Sequence, residues 1–383
     1  MKQSTAPNST GMTLVDLAGN RLIDMAAALS SSLGHRHPSV VAAIEAAVQH
    51  HLGSPFDQLP QSQQESDPQG SDWEKSLSPI MPGFKRCLLG AAANEANEAA
   101  LRLVRSFFGG DRYRVISLLG SDHGDSFLLR SASGRVESQG SDGPVAAGFR
   151  HVLPGDVNAI SKAIDAQTAA ICVSPVDWNR GGEAFDSDYL VAIEALCVEK
   201  DLLLMIDETR VPPGVGGSWF FHQRAGITPD VLTLSAGWTG GLPGGMTLVG
   251  PRLESHAASI VSRDFPLVRN AIEATARTIT DEKLLGQIDE TADAWAAMLD
   301  ELSGGFDYIR SCVHAGLWTT IELDLPATDV ALNALREGVK LNVTAETTLL
   351  LCPPLNVTDD SLLEAIEPLR RILESIERET TSS

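Results

Sequence analysis

Apolar residues recur along much of the chain at the two spacings that define regular secondary structure. Spacings of three and four residues, which put side chains on one face of a helix, run through residues 39–50, 95–108 and 188–200. Short apolar runs bounded by turn residues are typical of buried strands, and the clearest are residues 114–119, 169–173, 202–206 and 231–234. Their alternation with helices predicts βαβ units and a parallel sheet between residues 87 and 250.

The two ends of the chain follow a different pattern. Residues 13–25 alternate around the turn Ala18-Gly19-Asn20, which predicts a hairpin. Residues 54–82 are polar and rich in Gln, Ser, Asp and Pro, which predicts a long loop. An apolar stripe from Leu284 to Leu302 predicts one helix. Beyond it, the pattern indicates strands over residues 317–323 and 348–351 and a last helix over residues 359–377.

The length of 383 residues favours two or three folding units. We expect an N-terminal segment, residues 1–50, that packs with a small domain. A large domain over residues 51–262 and a small α+β domain over residues 263–383 would follow. The chain is 43% hydrophobic and 21% charged, which favours a globular protein over a disordered one.

The charge balance limits the classes of partner. Asp and Glu number 50 against 29 Lys and Arg, for a formal net charge of -21. Such a field repels phosphate backbones and anionic lipid headgroups, so we expect neither nucleic-acid binding nor membrane binding. No apolar run approaches about 18 residues, and the first residues lack the apolar centre of a signal peptide. A cytoplasmic location is therefore expected.

Cysteine and histidine form no recognisable metal motif along the sequence. The five cysteines lack CxxC spacing and mostly lie in apolar stretches, as small core residues do. His35 and His37 lack carboxylate or cysteine companions at metal-ligand spacing. We therefore predict no metal site.

Six short blocks, in order along the chain, carry a resemblance to a known family. They are DLAGNRLID from Asp16 with LGHRHP from Leu33, NEANEAA from Asn94, His123-Gly124, Asp207-Glu208, PDVLTL from Pro229 with GGLPG from Gly240, and PPL from Pro353. Together they resemble the class III aminotransferases, the fold-type-I pyridoxal-phosphate enzymes. That family includes acetylornithine, ornithine and 4-aminobutyrate transaminases and glutamate-1-semialdehyde aminomutase.

The resemblance implies a fold, a cofactor and an assembly. The fold would be α/β, with a large domain around a mostly parallel seven-stranded sheet and a smaller α+β domain. The assembly would be a homodimer with each site at the subunit boundary. The cofactor would be pyridoxal phosphate, held as a Schiff base by a lysine just after the PDxxTL strand. That lysine also moves the proton between substrate and cofactor.

Several positions depart from the family's pattern. The position implied for the lysine is Ala236, whose methyl group can be neither nucleophile nor base. Ala92-Ala93 replaces the Ser-Gly that starts the phosphate-binding helix. Asp122 replaces the aromatic residue that stacks on the pyridine ring, and its charge disfavours the cofactor. Ser174-Pro175 stands where the family has Glu-Pro. Leu350 stands where the family has an arginine three residues before Pro-Pro.

Two further features of the family are altered or missing. The loop written DEVQTGxGRTG in the family reads DETRVPPGVGG from Asp207. The phosphate-binding threonine that a partner subunit lends, expected near Val261 or Ser262, has no clear match. All seven lysines lie more than thirty residues from Ala236. The sequence therefore predicts that the cofactor is lost or weakly bound.

The positions that keep the family's residues each have two interpretations. Asp207 stands where the family's aspartate pairs with the protonated pyridine nitrogen, or it caps the loop after its strand. His123 is a candidate general base or a structural histidine. Backbone amides near Ala92, Ala93, Asn94 and Gly124 could hold a phosphate at a helix start, or Asn94 is simply an N-cap.

Three functional hypotheses follow. The leading one is a non-catalytic relative of the class III aminotransferases, with a role in binding or assembly. The second is a transaminase or aminomutase that binds the cofactor non-covalently, with Asp207 holding the ring and His123 or a partner residue moving protons. The third is a silent subunit that completes the site of an active paralogue.

Overall fold

An α/β fold is formed by residues 9–16, 18–51, 72–135, 145–258, 260 and 265–381, which the computed structural model describes. The helices are α1 Pro38–His51, α2 Asp72–Leu77, α3 Ala93–Phe107, α4 Phe127–Ala132, α5 Val157–Ala163, α6 Ser187–Glu199, α7 Glu254–Ala257, α8 Pro266–Asp281, α9 Ile288–Ser303, α10 Ala327–Arg336 and α11 Asp359–Thr381. The strands are β1 Thr13–Val15, β2 Arg21–Asp24, β3 Arg86–Gly90, β4 Arg114–Leu118, β5 Phe149–Val152, β6 Thr168–Val173, β7 Val176–Asp177, β8 Glu183–Ala184, β9 Leu203–Glu208, β10 Val231–Leu234, β11 Gly245–Val249, β12 Ile309–Ala315, β13 Trp318–Leu323, β14 Val339–Lys340, β15 Asn342–Val343 and β16 Thr348–Leu351.

The largest sheet has seven strands in the order β3-β11-β10-β9-β6-β4-β5. Only β11 runs antiparallel to its neighbours, so the predicted mostly parallel sheet is confirmed. Alternate residues of β6 enter two separate cores. Ile171 and Val173 pack in the core that includes α6, whereas Ala170 and Cys172 pack in the core that includes α3. Helices therefore cover both faces, as a parallel sheet requires.

Three smaller sheets lie outside this framework in the described part of the chain, and one of them is the two-stranded pair β7-β8. The antiparallel sheet β12-β13-β16-β15 packs against a third core, in which Trp295 and Trp318 are fully buried. The sheet β1-β2-β14 joins the N-terminal hairpin to Val339–Lys340. The domain limits at residues 50 and 262 stay a prediction. Within the ranges given above, no helix combines the length and apolar character that a membrane crossing needs.

Most predicted elements are confirmed within one or two residues, and three predictions are wrong. The loop expected over residues 54–82 contains α2 and a short 3-10 helix, Ser78–Ile80, while residues 54–71 of it lie outside the described part. The stripe from Leu284 is not one helix. Lys283 adopts a left-handed φ of 53°, so a separate 3-10 turn, Leu284–Gln287, precedes α9. Asn94 is not the N-cap of α3, because Ala92 occupies that position.

Candidate functional site

The carboxyl ends of five mutually parallel strands, β3, β4, β6, β9 and β10, meet at one edge of the large sheet. Ligands of open α/β sheets bind at this edge. The residues that the sequence singled out lie at the ends of these strands or just after them: Ala92, His123, Ser174, Asp207 and Ala236. The backbone N–H of Ala236 donates to the carbonyl of Thr209 at 2.9 Å, which ties the loop after β10 to the end of β9.

The carboxylate of Asp207 is buried, with 3% of the residue exposed, and is surrounded by protein donors. Its Oδ2 accepts from His123 Nδ1 at 2.7 Å and from Asn97 Nδ2 at 2.9 Å. Its Oδ1 accepts from the Thr209 backbone at 2.9 Å and from Thr209 Oγ1 at 2.6 Å. An ionised carboxylate offers about four lone-pair sites, so these four donors use its accepting capacity.

Burial and the pairing act against each other at Asp207 and His123. Burial alone would raise the pKa of Asp207, but the hydrogen bonds from His123 and Thr209 outweigh it and hold that pKa below its ordinary value. Burial alone would lower the pKa of His123, but Cys172 and Asp207 raise it well above the ordinary value. The two form a charged pair at neutral pH. A protonated imidazole that is 1% exposed has no free nitrogen to act as a base, which favours the structural interpretation of His123.

Two residues of this network, Asn97 and Thr233, were not identified as site residues by the sequence analysis. Asn97 is 1% exposed, donates to the His123 carbonyl at 2.8 Å and accepts from Thr233 Oγ1 at 2.6 Å. It lies between Ala96 and Ala100 on the buried face of α3. An amide on an otherwise apolar helical face was the signal that could have identified it, since buried polar groups need partners.

A second cluster joins Asp122 to two arginines. Asp122 Oδ2 lies 2.6 Å from Arg210 Nη1 and 3.1 Å from Arg135 Nη2. The guanidinium of Arg210 also stacks 3.8 Å from the ring centroid of Trp178, a cation–π contact. The carboxylate is thus fixed by two cations, and the indole already has a stacking partner.

The start of α3 is enclosed by acidic side chains. Its N-cap, Ala92, makes no side-chain hydrogen bond. Asn94 donates to the carboxylate of Asp125, and the carboxylate of Glu95 accepts from the Ala91 backbone at 2.7 Å. Gly124 has φ of 125°, and a Cβ there would lie 2.4 Å from Asn94 Oδ1, so only glycine fits beside this helix start.

No lysine in the described part of the chain contacts Asp207 or Asp122. Five of them are exposed on the surface: Lys75, Lys85, Lys162, Lys200 and Lys283. The sixth, Lys340, donates from Nζ to the buried carboxylate of Asp24 at 2.8 Å. Lys2, Val261 and Ser262 lie outside the described residues.

Comparison with known proteins gives likenesses that span almost the whole chain. The model of the family Aminotransferase class-III matches residues 3–373. Acetylornithine aminotransferase 1 of Bordetella pertussis is 33% identical over 377 residues, which cover 94% of this chain and 93% of that protein. Acetylornithine aminotransferase of Caldanaerobacter subterraneus is 28% identical over 379 residues, which cover 96% and 93%.

Solved structures of similar proteins share the fold. The ornithine aminotransferase from Toxoplasma gondii matches with a TM-score of 0.85 at 22% identity, covering 99% of this chain and 92% of that one. The N-acetylornithine aminotransferase from Stenotrophomonas maltophilia matches with a TM-score of 0.79 at 22% identity, covering 98% and 97%. At this identity the likeness concerns architecture alone.

Proposed function

Since the chain belongs to the class III aminotransferase family, we propose that it keeps the fold-type-I architecture and has lost the lysine-dependent chemistry of that family. Its role would then be binding or assembly. One observation carries the proposal: the residue that follows β10 beside Thr209 is Ala236, whose side chain is a methyl group. A methyl group can neither form a Schiff base nor transfer a proton.

The placement of Ala236 supports its assignment to the lysine position. The family's lysine comes just after the PDxxTL strand, and here PDVLTL contains β10. This strand runs parallel to β9, with Thr233 opposite Asp207. Ala236 therefore lies at the same sheet edge as Asp207. The six described lysines are either exposed or, for Lys340, paired with Asp24.

The residues at this edge do not fit pyridoxal phosphate. A pyridinium nitrogen needs a free carboxylate lone pair, whereas Asp207 already accepts from four protein donors. A pyridine ring needs an apolar face, whereas Asp122 presents a carboxylate bound to two arginines. A phosphate at the start of α3 would meet the carboxylate of Asp125. We therefore assign no catalytic step of this chain to that cofactor.

The assembly proposed is a homodimer, as the family resemblance implies. A second candidate function, a silent subunit paired with an active paralogue, is favoured by the near-complete fold. The chain matches 92% of the Toxoplasma ornithine aminotransferase at a TM-score of 0.85, so it has the shape of a whole subunit of that kind. Light scattering of the purified protein checks the homodimer. Co-purification of an active paralogue from the native host would favour the heterodimer.

Borohydride trapping tests the loss of chemistry. The purified protein is mixed with pyridoxal phosphate, reduced and digested, and its lysines are mapped by mass spectrometry. We expect no stoichiometric adduct on any single lysine and no visible absorption change. Acetylornithine aminotransferase 1 of Bordetella pertussis, treated in the same way, is the comparison. A stoichiometric adduct on one lysine, with transamination of an ω-amino acid, would overturn the proposal.

A further inference from the structure

Three metal-ligating side chains converge at the small antiparallel sheet, away from the site described above. Cys312 and His314 are two residues apart on β12, so their side chains leave the same face of the strand. The helix α9 brings Asp300 to that face. The ligand atoms of the three residues all lie within 4.8 Å of one another.

The separations from His314 Nε2 to the other two ligand atoms are close to those of a tetrahedral zinc site. His314 Nε2 lies 3.1 Å from Asp300 Oδ1 and 3.5 Å from Cys312 Sγ. Zinc bonds of about 2.3 Å to sulfur and about 2.0–2.1 Å to nitrogen or oxygen give tetrahedral edges of about 3.6 Å for N···S and about 3.3 Å for N···O. Both separations from His314 Nε2 therefore lie within about 0.2 Å of these edges, and the remaining pair, a carboxylate oxygen of Asp300 and Cys312 Sγ, lies within 4.8 Å.

The histidine is held by its other ring nitrogen. His314 Nδ1 lies 2.9 Å from Oγ1 of Thr319, its cross-strand partner on β13. Thr319 is fully buried and also accepts from Trp295 Nε1 at 3.2 Å. Such outer contacts fix the ring of a metal-ligating histidine, because they hold one nitrogen and leave the other to face the ion.

The cluster is reachable from solvent. The side chain of Asp300 is 63% exposed and that of His314 is 17% exposed. An ion can enter from the Asp300 side, and a water molecule can occupy the fourth position there. A thiolate and an imidazole are ligands that bind zinc, whereas the harder magnesium and calcium ions favour oxygen ligands.

We propose that Asp300, Cys312 and His314 bind one Zn²⁺ ion, with water as the fourth ligand. The bond to sulfur forms as the thiol of Cys312 releases its proton to solvent, so no oxidant or reductant is required. Before the ion binds, burial and the neighbouring Asp300 raise the pKa of Cys312 to about 12, so the thiol is then protonated. The bound ion would join α9 to β12 and stabilise the small sheet.

Cobalt titration of the full-length protein distinguishes a metal site from a group of hydrogen-bonded side chains, which would have similar separations between their atoms. After treatment with a chelator, the protein is titrated with Co²⁺. We expect one equivalent to give a thiolate-to-cobalt charge-transfer band in the near ultraviolet and strong visible absorption from tetrahedral cobalt. Added Zn²⁺ should displace both signals and raise the midpoint of thermal unfolding.

Matched variants assign the ion to these residues. Cys312→Ser should abolish the charge-transfer band. Asp300→Asn should weaken binding at least about tenfold, since even the outer partners of metal ligands contribute roughly 10- to 100-fold. Asp293→Asn, an exposed change on the same helix, should leave the affinity unchanged.

Three results would overturn the site. They are the absence of the charge-transfer band in the unaltered protein, its persistence in Cys312→Ser, and equal affinities for Asp300→Asn and Asp293→Asn. Asp300 is largely exposed, so its asparagine variant tests binding without disturbing the core.

Discussion

The substitution Asp207→Asn tests whether this carboxylate stabilises the fold or serves to bind a cofactor. The change keeps the shape of the side chain and removes its charge. In the wild-type protein this carboxylate is buried, and the charged imidazole of His123 lies 2.7 Å away with 1% of its side chain exposed. If Asp207 serves the fold, the variant must lose stability in the absence of any ligand.

The size of the loss follows from what remains buried. Removing one partner of a buried ion pair costs roughly 3–5 kcal/mol, because the other charge is left without compensation. Asparagine retains one acceptor oxygen, so we expect the lower end, about 3 kcal/mol in the free energy of unfolding.

The loss should also depend on pH. The raised pKa of His123 contributes stability that is fully present below its unfolded value of about 6.5 and lost as the pH rises through the folded value. The lowered pKa of Asp207 contributes stability that is present above its unfolded value of about 3.9 and lost as the pH falls through the folded value. The difference between wild type and variant should therefore be largest between about pH 4 and pH 6.5 and should shrink at alkaline pH.

Urea unfolding followed by circular dichroism at pH 5.5 and pH 9.5 measures both quantities. Asp230→Asn is the control, because Asp230 also accepts a backbone N–H, from Leu204 at 2.9 Å, but its cationic partner Arg252 is 39% exposed. We expect the control to cost about 1 kcal/mol. A loss below about 1 kcal/mol for Asp207→Asn, or the same loss at both pH values, would refute the reasoning.

Three further changes test other parts of the structure. Glu208 accepts three hydrogen bonds, at 2.7–2.8 Å, from the turn that follows residue 220. Glu208→Gln should therefore lower the free energy of unfolding by about 2–3 kcal/mol. An unchanged free energy of unfolding, measured in urea, would contradict this. Gly316 has φ of 71°, and a Cβ there would lie 2.2 Å from a backbone oxygen, so Gly316→Ala should lower the melting temperature. Gly286→Ala is the control, because a Cβ at Gly286 would have nothing within 4 Å. Equal melting temperatures for the two variants would argue against backbone strain at Gly316. Lys340→Met leaves the buried Asp24 with His35 as its remaining partner and should lower the free energy of unfolding by about 2 kcal/mol at pH 7. This loss should narrow towards pH 3 as the carboxylate protonates, and a loss that does not change with pH would be inconsistent with the pairing.

The sequence located four of the seven strands of the large sheet, β4, β6, β9 and β10, and did not single out β3, β5 or β11. Every residue of β6 and of β9 is buried, and apolar residues run without interruption from Ala169 to Val173 and from Leu202 to Ile206. The strand β12 reads IRSCVHA, with polar residues on a half-exposed strand, and it was missed. The helix α2 was missed because six residues are too few to show a helical period within a polar stretch.

The candidate site was only partly accessible to sequence reasoning. The family motifs singled out Asp207, His123 and Ala236, and the fold brings them to the same sheet edge, since each lies at or after the carboxyl end of a parallel strand. Arg135, which binds Asp122, follows a different helix and belongs to no motif. In the same way, Cys312 and His314 have the spacing of neighbours on one face of a strand. Asp300 lies on α9 and approaches them only through tertiary packing. Contacts of this kind are set by tertiary structure, which spacing along the chain does not encode.

The strand β14 gives the N-terminal hairpin a late partner. Residues 339–340 complete the sheet that β1 and β2 begin, and Lys340 supplies an ammonium partner to the buried Asp24, whose carboxylate His35 also contacts. During synthesis on the ribosome, the hairpin can gain neither its third strand nor the ammonium partner of Asp24 until residue 340 has left the exit tunnel. More than three hundred residues separate the two partners in the chain, so this closure should be among the last events of folding.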